Sequence, residues 1–264
     1  MFQGDTARDA RPAVVLLHSS MSSRSQWAPL MAAQESRFRF IALDLLGYGK
    51  SAFPTEVAHE FSLAHEVDAV AAALPAHLGA GEPFHLVGHS YGGATALRLA
   101  RQMRSRVLSL VVFEPVAFHL LSPQDPARIG IERVIAAIDM APSQQAAARV
   151  FIDYWNGPGG FDKLPPALQQ RFASQVAKVR LDFQALLGEP AALADMHVLN
   201  MPALVLRGEQ APISTRRVAD CLAAALPNAN LRQTPGGHMA PLTHADDVNA
   251  VISGFLADAT REPA

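Results

Sequence analysis

Only one cysteine, Cys221, occurs in the 264 residues, so no disulfide can form within the chain and a disulfide-stapled fold is excluded. Charge is also scarce: charged residues make up 17%, and 22 Lys and Arg against 24 Asp and Glu leave a formal charge of −2. That balance offers no electrostatic footprint for nucleic acid or an anionic membrane. Long apolar runs are missing as well, since 14–17 and 108–113 are only strand length, short of the roughly 20 residues of a membrane span. Residues 1–11 are polar and mixed in charge, without the basic segment and apolar run of a secretory signal. No internal repeat and no low-complexity segment occurs. These absences lead to the expectation of a cytoplasmic protein that acts on a small, largely neutral molecule, with no nucleic acid or membrane involved.

What the chain has is apolar sequence, 50% of the total. Apolar runs of strand length recur at 13–17, 38–43, 84–87, 107–113, 203–206 and 229–233, most of them separated by stretches of helical periodicity. Strands that are apolar on both faces and alternate with helices predict a parallel sheet covered on both sides, the doubly wound α/β class. The alternation breaks between 115 and 200, where 128–140, 144–154 and 167–187 carry apolar residues at helical spacing and no strand is evident. The expected organisation is therefore a core in two pieces, 1–116 and 198–264, interrupted by a helical segment at 117–197. That segment nearly balances its charges, seven Lys and Arg against eight Asp and Glu, so no charge selection of a substrate is read from it. An amphipathic stretch at 246–258 is expected to close the sheet as a final helix.

Chemistry concentrates at Val87-Gly88-His89-Ser90-Tyr91-Gly92-Gly93, a serine between glycines where an apolar strand meets a helical pattern with apolar residues at 94, 97, 99, 100 and 103. This is the pattern of a nucleophile elbow, in which a strained turn holds the serine hydroxyl at the top of a sheet and the small neighbours let strand and helix approach. A serine hydroxyl near pH 7 needs a general base, and imidazole is the best match. Of the ten histidines, His238 has the most suitable context: Pro235-Gly236-Gly237-His238-Met239 forms a glycine-rich loop between the last strand and the last helix. Gly49-Lys50-Ser51 imitates the end of a phosphate-binding loop, but Asp44 stands where its first glycine belongs and Pro54 where its helix should start.

Elbow, helical insertion and late histidine together resemble the α/β-hydrolase superfamily, in its capped serine-hydrolase branch. Two further stretches are similar: Leu16-Leu17-His18-Ser19-Ser20 to the family's strand and His-Gly-x loop, and 44–51 to its Asp-x-x-Gly-x-Gly-x-Ser loop. The resemblance implies a mostly parallel sheet of about six strands, with a helical cap inserted after the strand that ends near Glu114. It implies Ser90 as nucleophile, His238 as general base, and the N–H groups of Ser20 and Tyr91 as the oxyanion hole, although Ser19 replaces the usual glycine. His18 is expected to brace its loop. The family's usual triad acid falls at Ala211, which has no polar side chain. Two carboxylates remain as candidates: Glu114, in the place used by haloalkane dehalogenases, which is preferred, and Glu209, on the usual loop but two residues early. Phe118, Phe151, Tyr154 and Trp155 either line the pocket or form the core of the cap. The implied activity is hydrolysis of an ester or related acyl compound, with no cofactor or metal. Carbon–carbon bond, thioester and lactone hydrolysis share the same machinery, and a non-catalytic binding protein is the reading from another class. Dehalogenases and epoxide hydrolases of this fold use an aspartate nucleophile, which Ser90 argues against.

Overall fold

A computed structural model describes residues 9–56 and 60–261. Residues 1–8, part of the polar N-terminal stretch and of the first core piece, lie outside the described residues, as do 262–264 of the second. In chain order the main elements are β1 (Ala13–Leu17), α1 (Ala28–Gln34), β2 (Arg39–Leu43), α2 (Leu63–Ala73), β3 (Phe84–His89), α3 (Tyr91–Gln102) and β4 (Val107–Phe113). Then come α4 (Pro126–Asp139), α5 (Gln144–Asn156), α6 (Pro166–Leu187), β5 (Ala203–Gly208), α7 (Ile213–Ala225), β6 (Ala229–Thr234), α8 (Ala240–Thr243) and α9 (Ala245–Arg261).

The six strands form one sheet in the order β2-β1-β3-β4-β5-β6, with every pairing parallel among the described residues. Strand alternation divides the apolar runs between two layers. Val14 and Leu16 of β1 join Val87, Val111 and Leu204 on the face covered by α1 and α9, where α9 presents Val248, Ile252 and Leu256 at a four-residue spacing. Val15 and Leu17 join Leu86, Leu110 and Val205 on the opposite face. Burial on both faces explains why these strands read as continuous apolar runs. The strand at 229–233 differs from the expectation of a buried apolar run: Leu231, Arg232 and Gln233 are exposed, because β6 is the sheet edge, where polar side chains protect the open side.

The order of strand addition reverses at β1 and β3, since β2 is added on one side of β1 and β3 on the other. Such a switch point opens a crevice at the carboxyl ends of the strands. His18 to Ser20 follow β1, Ser90 follows β3, Glu114 follows β4, and His238 lies in the loop after β6. Between β4 and β5 the described elements are all helical, with α4 to α6 joined by short turns. The α6 helix runs for 22 residues and buries Val176, Val179, Phe183 and Leu186, together with the charged side chains of Lys178 and Asp182.

Candidate active site

Ser90 turns the chain from β3 into α3 with φ 56° and ψ −118°, a conformation that a residue with a Cβ adopts only under strain. The flanking glycines are fixed by space. A Cβ on Gly88 would lie 2.4 Å from the carbonyl oxygen of Gly92, and one on Gly92 would lie 2.4 Å from that of His18. Backbone, not side chain, occupies those positions, so no rotamer change relieves the clash. Gly92→Ala is expected to cost about 1–3 kcal/mol despite alanine's better helix propensity, read as a lower midpoint in denaturant unfolding. An unchanged midpoint would show that the close approach is not required.

The loop after β6 brings the His238 imidazole to Ser90. Its Nε2 is 2.9 Å from Ser90 Oγ, and its Nδ1 is 2.8 Å from Glu114 Oε2. Glu114 accepts only, so Nδ1 carries the ring proton and Nε2 faces the hydroxyl as an acceptor. Glu114 is fully buried, and its backbone sits at φ 40°, a second strained residue at this site. The Gly208 N–H donates to its Oε1 at 2.8 Å and the Thr215 hydroxyl to its Oε2 at 2.7 Å. Burial alone would push this carboxyl up, but the hydrogen bond and charge attraction of His238, with the hydrogen bonds from Gly208 and Thr215, together outweigh it and hold the group below its ordinary value. Glu209 is exposed, and its backbone N–H is bonded to the Thr234 carbonyl. Of the two candidate acids, the structure brings Glu114 to His238 and leaves Glu209 away from it. Ala211 is buried.

Two neighbours fix the imidazole further. His89, itself buried and kept neutral by desolvation, bonds the His238 carbonyl through Nε2 at 2.8 Å. Trp155 of α5 stacks on the imidazole, with ring centroids 3.9 Å apart and planes inclined by 27°. Of the aromatic candidates, Phe151 and Trp155 line the cavity at Ser90, whereas Phe118 is fully buried in the core. Tyr154 borders a neighbouring surface groove and its hydroxyl meets Ser214 Oγ at 2.6 Å.

The loop after β1 forms the opposite wall. His18 takes the Leu45 N–H on Nε2 at 3.0 Å, and its Nδ1 donates to the Ser19 carbonyl at 2.7 Å. Burial lowers its pKa to about 4, so it braces the loop as a neutral ring. Ser19, where the family pattern has glycine, donates both its N–H and its hydroxyl to Gln26 Oε1. Asp44 caps the neighbouring turn, accepting from the Arg24 and Lys50 N–H groups. The Tyr91 N–H lies at the first position of α3, where a helix has no internal partner to offer it. Ser20 is partly buried and joins Ser90 and His238 in lining a cavity of about 280 Å³.

Sequence reasoning missed a charged network under this loop. The Lys178 ammonium bonds Asp182 and lies 3.2 Å from Glu66 Oε2, with all three side chains almost completely buried. Its remaining surroundings are aromatic: the rings of Tyr48, Phe61 and Tyr91 lie 4.7–4.9 Å away. Asp182 Oδ2 accepts from Ser20 Oγ at 2.6 Å and from the Tyr48 hydroxyl at 2.5 Å. Glu66 accepts from the Leu46 N–H at 2.6 Å and from the Tyr91 hydroxyl at 2.9 Å. The network thus ties α6 to both Ser20 and Tyr91. Lys178 and Asp182 stand four apart on a helix, a spacing that reads in sequence as an ordinary exposed ion pair, and Glu66 has no visible partner.

Similarity to known proteins agrees with this architecture. A probable lysophospholipase, BODYGUARD 2 of Arabidopsis thaliana, is 29% identical over 152 residues, which is 56% of this chain but 31% of that protein. The chain thus matches less than a third of that relative's length. A fluoroacetate dehalogenase from Burkholderia sp is 28% identical over 277 residues, covering 94% of this chain and 88% of its own. Among solved structures, a thermophilic esterase from Thermogutta terrifontis superimposes with a TM-score of 0.74 at 25% identity, covering 94% of this chain and 90% of that one. The profile of the alpha/beta hydrolase family matches residues 14–251. With nearly the whole described core inside that match, and the six-stranded sheet and elbow in place, the chain belongs to the alpha/beta hydrolase family.

Proposed function

We propose that this protein is a cofactor-independent serine hydrolase that cleaves a carboxylic ester through an acyl-enzyme on Ser90. The observation that carries the reading is the unbroken hydrogen-bonded chain from Ser90 Oγ through His238 to Glu114. As Ser90 Oγ attacks the carbonyl carbon, His238 Nε2 takes its proton, and the imidazolium is stabilised by Glu114 on one edge and by the Trp155 face. The N–H groups of Tyr91 and Ser20 serve the oxyanion, a stabilisation worth about 3–4 kcal/mol per donor in related chemistry. Collapse of the tetrahedral intermediate expels the alcohol, which receives the proton from His238. Water then attacks the acyl carbon as the same nitrogen takes its proton, and collapse breaks the bond to Ser90 Oγ, which recovers that proton from His238 as the acid leaves.

The segment 117–197 serves as the cap over this site, with α5 and α6 supplying the walls above Ser90. The likeness to a solved esterase supports ester substrates. A serine rather than a carboxylate at the elbow separates the chemistry from that named for the dehalogenase relative. Incubation with a fluorophosphonate probe followed by peptide mass analysis tests the reading. Modification on Ser90 that is absent in Ser90→Ala is expected; an unmodified wild-type protein, still folded, removes the hypothesis.

A further inference from the structure

Two cavities meet at Ser90 and share Ser20, Phe151 and Trp155 in their walls, but they differ in size, and only the larger reaches His238. The outer one, of about 280 Å³, is lined by His238, Met239 and Leu242, by a row of serines at 19, 20, 22, 23 and 25, and by apolar side chains that include Phe151, Trp155 and Phe172. The inner one runs from Ser90 and Ser20 beneath the helices of the insertion, between Val116, Phe151, Val179, Phe183 and Leu186, and His238 is not part of its lining. Within it the centre of a water has only about 10 Å³ in which to move, enough for about one water molecule.

From these two spaces we infer that the enzyme takes esters of short, uncharged acyl groups, acetyl or propionyl, joined to a bulkier alcohol. This inference rests on the serine-hydrolase reading and deepens it. In RCOOR′ + H2O → RCOOH + R′OH, the Ser90 Oγ–carbon bond forms and the carbon–OR′ bond breaks, and the departing oxygen takes the proton held on His238 Nε2. R′ therefore occupies the cavity that His238 lines, which has room and hydroxyl groups for a sizeable alcohol. R points to the other side of the carbonyl, into the small and mainly apolar space. Phe183, Leu186 and Val179 are all at most 4% exposed and packed into the core, so little of that wall yields. Asp182 also stands in this wall, with its oxygens already committed to Lys178, Ser20 and Tyr48. A second carboxylate brought in on R would meet a like charge and lose its water without gaining a donor.

Initial rates on p-nitrophenyl acetate, propionate, butyrate, hexanoate and octanoate, and on the hemisuccinate ester, test the inference with the intact protein. kcat/KM is expected to fall at least about tenfold between propionate and hexanoate, and the hemisuccinate to be cleaved at least about tenfold more slowly than butyrate, the range set by pocket fit. Phe183→Ala should raise hexanoate turnover relative to acetate by about tenfold, with Val179→Ala as the milder variant if the first does not fold. Fluorophosphonate labelling of Ser90 is run in parallel. If Ser90 is labelled but octanoate is preferred, or if neither folded variant changes the chain-length profile, the short-acyl inference is overturned and the serine hydrolase stands. If Ser90 is not labelled, both fall.

Discussion

Glu114→Gln is expected to lower turnover by about 10⁴ while the protein stays folded, the loss seen when the orienting acid of a protease triad becomes an amide. The reason lies in a count of donors. Glu114 accepts from the Gly208 N–H, the Thr215 hydroxyl and the His238 Nδ1–H, and a carboxylate has lone pairs for all three. Glutamine has one oxygen. If that oxygen keeps the Gly208 bond, the amide NH2 faces His238 Nδ1, which must then accept and move its proton to Nε2. An Nε2–H pointing at Ser90 cannot take a proton from it. Glu209→Gln, on an exposed side chain, should remain within about twofold of wild type, as surface substitutions away from a site usually do. Steady-state rates on a p-nitrophenyl ester, with circular dichroism to confirm folding, decide the matter; a Glu114→Gln enzyme within tenfold of wild type would remove Glu114 from the orienting role.

Lys178→Met should be the most damaging change to stability outside the apolar core, costing about 3–5 kcal/mol, because it leaves two buried carboxyls without their cation. Burial raises both Glu66 and Asp182 above their ordinary values even with Lys178 present, since desolvation outweighs the attraction of the ammonium. A carboxyl raised on folding favours the folded state at low pH, and that contribution is lost as pH rises from its unfolded value of about 4 through the folded one. Removing Lys178 raises both groups further. The deficit of Lys178→Met is therefore largest near pH 8 and shrinks toward pH 5. Urea unfolding at the two pH values measures this directly, and a deficit independent of pH would mean that the lost packing of the lysine stem, not its charge, is responsible.

The parts of this molecule legible in the sequence are those governed by local pattern. The runs at 13–17 and 107–113 announce strands because both faces of the sheet are covered, and the glycines at 88 and 92 announce the elbow because backbone leaves no room for a Cβ. Ala211 signals that the acid is displaced. Choosing between Glu114 and Glu209 needs the third dimension, because strand β4 lies beside β5 and brings its end to the loop that carries His238. Lys178 and Asp182 were hidden for a different reason. Their types and spacing match a solvated helix face, and only the arrival of α2 and the β1 loop against α6 buries them. Gln26 is unremarkable in sequence, yet its amide oxygen accepts from both the N–H and the hydroxyl of Ser19.

The stacking of Trp155 on His238 bears on how far this fold is modular. An inserted helical segment is easily pictured as a replaceable part, exchanged between relatives to change substrate while a fixed core does the chemistry. Here α5 supplies a face of the imidazole's environment, and α6 supplies the hydrogen-bond partner of Ser20. Transplanting another relative's insertion onto this core would import a new pocket but strip these supports from His238 and Ser20, on which the proposed chemistry rests. On the proposed reading, a change in the insertion therefore alters the footing of these two residues together with the shape of the pocket.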